Sequence, residues 1–242
     1  MPDALVDGSC DAGDMEIQLR HQPSFSVARC TLAPNEPIRA ESGAMMAMTA
    51  DMQIEAKAQG GVMKSLKRAA LGGESFFVTT LTAGSNGGWV DLAASLPGDM
   101  SVVNLVPGQP WLLSKGSFLG ASPSVNLETK FQGGKMFAGG EGAFLMEVEG
   151  HGPMVVSAFG AIDRFRLEAG HTVVVDSGHF VAAEMSVKYT LRRAAEGGLI
   201  QSAKSGEGLV LEFAGPGEVI IQSRNPRGLI SFLRANGLGA RN

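Results

Sequence analysis

Three stretches of this chain align with one another without a gap: LAPNEPIRAESGAMMAMTADMQIEAKA from Leu32, LVPGQPWLLSKGSFLGASPSVNLETKF from Leu105 and LEAGHTVVVDSGHFVAAEMSVKYTLRR from Leu167. A repeat constrains a fold more than any single propensity, because each copy must take the same local structure and find the same kind of neighbour. Each stretch has a turn soon after its leucine (Pro34-Asn35, Pro107-Gly108, Ala169-Gly170) and a glycine eleven residues on, at Gly43, Gly116 and Gly178. The ends keep step. Met52, Ile54 and Ala56 match Val125, Leu127 and Thr129, then Val187, Tyr189 and Leu191, with Gln53, Glu55 and Lys57 and their counterparts between them. Alternation with period two predicts a strand with one buried and one solvated face.

Two further blocks follow each stretch. GGESFFVTTLTA from Gly72, GGEGAFLMEVEG from Gly139 and SGEGLVLEFAG from Ser205 place a Gly-Glu pair before an apolar strand, with Gly73, Gly140 and Gly206 at intervals of 67 and 66. After another glycine turn come Trp89-Val90-Asp91-Leu92, Met154-Val155-Val156-Ser157 and Glu218-Val219-Ile220-Ile221. Each unit therefore reads as about five short strands. A few strands bury too little apolar surface alone, so the three copies are expected to share a core around a pseudo-threefold axis. The chain divides into a poorly ordered tail over 1–16, one all-β domain over 17–233 with repeats at 17–88, 89–153 and 154–233, and a C-terminal tail over 234–242. The 33 glycines and 11 prolines, with 6% aromatics, fit many tight turns rather than long helices.

One insert breaks the β pattern. VMKSLKRAAL, from Val62 to Leu71, puts Val62, Met63, Leu66, Ala69 and Ala70 on one helical stripe and Lys64, Lys67 and Arg68 opposite, with Gly72-Gly73 as a stop. A short amphipathic helix is expected there, capping an open end of the sheets. Lys64, Lys67 and Arg68 are the candidate partner-binding residues, since a basic amphipathic helix also suits a membrane surface.

The stretch from Gly60 to Phe77, the recurring Gly-Glu strand starts and the terminal Val219-Ile220-Ile221-Gln222-Ser223-Arg224-Asn225-Pro226 resemble a family of bacterial and archaeal proteins that also contains the fungal "altered inheritance of mitochondria" protein twenty-four. The resemblance runs from Ile17 to Leu233. It implies a fold like that of the tryptophan RNA-binding attenuation protein (TRAP-like), a double-stranded β-helix or jelly-roll unit tripled within one chain. It implies no activity. The fungal members' link to the mitochondrial inner membrane is not carried over, because no Arg- and Ser-rich transit segment is visible.

Chemistry is sparse. His171 and His179, with Glu168, Asp176 and Glu184 near them, are the only grouping that resembles a metal set, and the H-x-H of a cupin-like enzyme is missing. No G-x-S-x-G elbow or phosphate-binding loop is present, and Cys10 and Cys30 form no C-x-x-C pair. Cys30 reads as a core residue. Glu74, Glu141 and Glu207, one per repeat, are candidates for a ring of carboxylates. A formal charge of -4 argues against nucleic acid as the main partner, although Arg192, Arg193, Arg224, Arg227 and Arg234 form local basic patches. An acidic start without a signal peptide, and the lack of a spanning apolar run, set the expectation of a cytoplasmic protein. The sequence therefore points to a non-enzymatic homo-oligomeric scaffold without a cofactor, binding a protein partner. RNA or membrane-surface binding and a metal-dependent enzyme are the alternatives.

Overall fold

The computed structural model describes residues 15–58, 77–131, 144–193 and 209–238. Among them the chain is almost wholly β, with one 3₁₀ turn at Lys115–Ser117 and one α-helix, α1 (Pro226–Ala235). A leading strand β1 (Glu16–Arg20) precedes three modules of six strands each. The first holds β2 (Val27–Leu32), β3 (Pro37–Glu41), β4 (Met45–Met48), β5 (Gln53–Ala58), β6 (Phe77–Thr82) and β7 (Gly88–Ala93). The second holds β8 (Met100–Leu105), β9 (Trp111–Ser114), β10 (Phe118–Ala121), β11 (Asn126–Phe131), β12 (Phe144–Glu149) and β13 (Gly152–Ser157). The third holds β14 (Ile162–Leu167), β15 (Thr172–Asp176), β16 (Phe180–Glu184), β17 (Lys188–Arg193), β18 (Leu209–Ala214) and β19 (Gly217–Gln222). Six strands replace the five expected. The repeated glycines Gly43, Gly116 and Gly178 lie between the second and third strands of their modules.

All strand pairing is antiparallel and follows one rule. In each module the sixth strand lies between the first and third, and the fifth lies between the fourth and second. The second strand then pairs with the third strand of the next module, as β3 with β10 and β9 with β16. Two six-stranded sheets result, β5-β6-β3-β10-β13-β8 and β11-β12-β9-β16-β19-β14, each drawn half from one module and half from the next. A four-stranded sheet, β1-β2-β7-β4, and a three-stranded sheet, β15-β18-β17, stand at the two ends. The pairing thus supplies two seams between modules, and among the described strands no third seam joins the last module to the first.

Side-chain alternation makes the cores. On β7, Val90 and Leu92 point toward Ile38, Ala40 and Leu81, and the second module adds Met100, Leu119 and Val155 to the same cluster. The second cluster joins Trp111, Leu113, Phe118, Met146 and Met154 to Val181 and Ile220 of the third module. The last gathers Val175, Phe180, Leu211, Phe213 and Val219 with Leu112 and Leu145 of the second. Each buried side chain of this size contributes about 1.5 to 3 kcal/mol. The third strand of every module carries a bulge at one place, between Met45 and Ala47, Phe118 and Gly120, and Phe180 and Ala182. Such a bulge admits one unpaired residue and re-aims the strand.

Two boundaries differ from the sequence reading. Met15 is buried and Glu16 opens β1, so these two residues of the expected tail belong to the β structure. At the other end α1 runs past 234, the expected start of a C-terminal tail.

Candidate functional site

β4 and β15 hold the seam positions that β10, β16, β3 and β9 fill elsewhere, yet among the described strands each has a neighbour on one side only. The consequence appears in burial. Leu119 and Val181 are 0% exposed, while Met46 at the same place in the repeat is 53% exposed. Met45 is likewise exposed where Phe118 and Phe180 are buried, and Val174 on β15 is 50% exposed. Ile221 is half-buried, although its counterparts Leu92 and Val156 are fully covered. β4 carries no charge and β15 only Asp176 at its end, whereas the edge strand β14 carries Asp163, Arg164 and Arg166. Charged side chains are a usual guard on a free sheet edge, and these two edges lack it.

The outer face of the first module holds an ion group. Asp91 on β7 lies directly opposite Arg29 on β2, which grips both carboxylate oxygens at 2.9 Å through Nε and Nη2. Arg20 of β1 reaches the same carboxylate at 2.7 Å, and the Arg29 guanidinium stacks 3.9 Å above the Trp89 ring. The hydrogen bond from Arg29 holds the Asp91 carboxyl below its ordinary range, against the opposing effect of burial. Arg20 Nε is buried without a hydrogen-bond acceptor. Behind this group Cys30 is fully buried, and desolvation, with the Asp91 charge, pushes its thiol up to about 12. A thiol so placed is inert, in keeping with the expected core role.

A cleft of about 260 Å³ opens where the ends of strands from all three modules converge, lined by Glu41, Ser95, Ser114, Ser117, Ser157 and Gln222 among others. Gln222 is committed to the framework: its amide oxygen accepts from Phe159 N at 2.8 Å and its amide nitrogen donates to the Gly178 carbonyl at 2.9 Å.

The histidine grouping does not converge. His179 Nδ1 contacts the Gln222 carbonyl at 2.7 Å, and Asp176 accepts from Gly178 N and from the Asn225 amide. Glu184 accepts from Ser186 Oγ and Glu218 N, while Glu168 and His171 lie exposed at a turn. Among the described residues no three His, Cys, Asp or Glu side chains are placed to hold a metal ion. Lys64, Lys67 and Arg68, the short helix expected to carry them, and Glu74, Glu141 and Glu207 lie outside the described residues.

Sequence reasoning missed α1. Asn225 caps it, its side-chain oxygen accepting from Arg227 N at 2.9 Å, and Pro226 opens the first turn. Leu229, Ile230, Phe232 and Leu233 fall on one side with Arg227 and Arg234 on the other, and no residue of the helix is buried. Asn-Pro before apolar residues at helical spacing was the available signal. No helix among the described residues is long and apolar enough to cross a membrane.

A family model described as "Mitochondrial biogenesis AIM24" matches residues 17–224. An uncharacterized protein of Streptococcus pyogenes serotype M6 is 29% identical over 219 residues, covering 87% of this chain and 86% of that one. An X-ray structure of a Streptococcus pyogenes protein superposes with a TM-score of 0.76 at 28% identity, covering 92% of this chain and 99% of the other.

Proposed function

The chain belongs to the AIM24 family, and from that premise we propose that it is a non-enzymatic scaffold that assembles with its own copies and offers the assembled β modules to a protein partner in the cytoplasm. The observation that carries this reading is the exposure of Met45, Met46 and Val174 on two strands that among the described residues are paired on one side only and carry Asp176 as their sole charge. Exposed apolar edges are liabilities in a monomer and assets in an assembly. The TRAP-like character of each module belongs to the same reading. Light scattering on the purified protein tests it: a mass that is a multiple of 25.2 kDa is expected. A monomer at all concentrations, or stoichiometric iron, manganese or zinc in a metal analysis, would instead favour the cupin-like enzyme.

α1 favours a second reading, association with an anionic membrane surface. Phe232 is 62% exposed beside Ile230, and Arg227 and Arg234 lie on the opposite side of a helix without acidic residues. That combination suits a helix lying in a lipid interface. Flotation with anionic vesicles, lost in Phe232→Asp and weakened by salt, is the expected result. Retention on RNA in place of vesicles would move the assignment to nucleic acid.

A further inference from the structure

The two seams inside the chain specify what a third would look like. Across the first, Ala40 faces Gly120 and Arg39 faces Ala121. Across the second, Leu113 faces Ala182 and Leu112 faces Ala183. The repeat places Val175 and Val174 of β15 where Leu113 and Leu112 stand, and Ala47 and Met48 of β4 where Ala182 and Ala183 stand.

We propose that β15 of one copy pairs antiparallel with β4 of the next, Val175 opposite Ala47 and Val174 opposite Met48, linking copies head to tail. This rests on the self-assembly reading above and names its partner surface. The three-stranded and four-stranded end sheets become one continuous sheet of β17-β18-β15-β4-β7-β2-β1. Met46 then enters the cluster of Val173, Val175, Leu211 and Phe213, as Leu119 and Val181 enter the clusters of the modules before them. The half-covered Ile221 gains the lid that Leu92 and Val156 already have. A heterologous joint of this kind repeats from copy to copy, closing into a ring when the rotation allows.

One side chain sets the new seam apart. Asp91 stands where Val155 and Ile220 lie in the internal seams, but Arg20 and Arg29 of its own copy already neutralise it. The Asp91 carboxylate therefore enters the joint already paired, and with two guanidinium groups around it the joint is more polar than the internal seams.

Cysteine pairing tests the register. In a Cys10→Ser background, Ala47→Cys and Val175→Cys proteins are prepared separately, mixed, and oxidised by oxygen with copper-phenanthroline. Disulfide-linked dimers containing one of each variant are expected. Links between like variants at equal yield, no link at all, or a cyclised monomer in the double variant would overturn the proposal. In parallel, Met46→Lys is expected to raise the concentration for half-assembly at least ~100-fold, because a lysine would be buried in the joint. Phe165→Lys, on β14 away from both edges, should leave it within about threefold. If the unmodified protein assembles and Met46→Lys assembles equally well, this joint is wrong while the scaffold reading stands. If the unmodified protein is monomeric throughout, both fall.

Discussion

β7, β13 and β19 occupy one place in their modules, and their central residues are Asp91, Val155 and Ile220. Val155 and Ile220 are buried against the module before them, whereas Asp91 has no preceding module and is covered by Arg20 and Arg29 from its own sheet. One backbone position therefore serves as dry seam in two modules and as an ion-capped outer face in the third. Position in the repeat fixes the strand; the neighbour decides the side chain. A buried carboxylate is tolerable only with its charge matched and its lone pairs occupied, and the bidentate contact from Arg29 meets both conditions.

The sharpest way to break the comparison is to exchange the two solutions. Val155→Asp places an unpaired carboxylate in the first seam and should cost about 3 to 5 kcal/mol, measured by urea unfolding at a concentration where the protein is monomeric. A loss below 1 kcal/mol would mean that water reaches the seam. Next in size, Leu119→Ala should destabilise by about 2 to 5 kcal/mol, while Met46→Ala at the same repeat position should stay within about 0.5 kcal/mol in the monomer. Equal effects would show that Met46 is already covered.

Asp91→Asn should cost about 1.5 to 3 kcal/mol near neutral pH, because it removes the charge from the bidentate hydrogen bond. Its pH signature has a definite sign. The folded pKa of Asp91 lies below the unfolded value of about 4, so the stabilisation is fully present above that value and is lost as pH falls through the folded pKa. The Asn variant should therefore lose less stability than the native protein between neutral and strongly acidic pH. The smallest effect concerns Cys30: with its thiol pushed up to about 12, alkylation at pH 8 should be negligible in the native protein and rapid in denaturant. Reaction under native conditions would place an opening event beneath the ion group.

The alternation in β11 and β17 was legible because those strands have one wet face, and their phase is written in Glu128 and Thr190, whereas on β5 Ile54, expected on the buried face, is 50% exposed. β13 lost its phase. Met154 was matched with Trp89 and Glu218, but Gly88, Gly152 and Gly217 face Leu32, Leu105 and Leu167, so Pro153 is the true counterpart. Met154, Val155, Val156 and Ser157 are all buried, and a strand dry on both faces carries no alternation from which to set register. The glycines at intervals of 67 and 66 also mislead by one residue, since Thr82, Glu149 and Ala214 hold the same place in the ladders, at intervals of 67 and 65. Even the shared glycines differ in cause: Gly43 needs its φ of +91°, while Gly178 has no room for a Cβ beside Asn225. The free edges were illegible because they follow from pairing between modules, and the sequence of β4 differs little in character from that of β10.

Since each internal sheet takes one half from a module and the other half from its successor, no single copy owns a finished layer. A gene duplication that spliced in another copy would meet, on either side, surfaces already shaped to receive it. The number of layers is then open to evolutionary change at little structural cost, while the two terminal surfaces, and whatever binds them, stay the same.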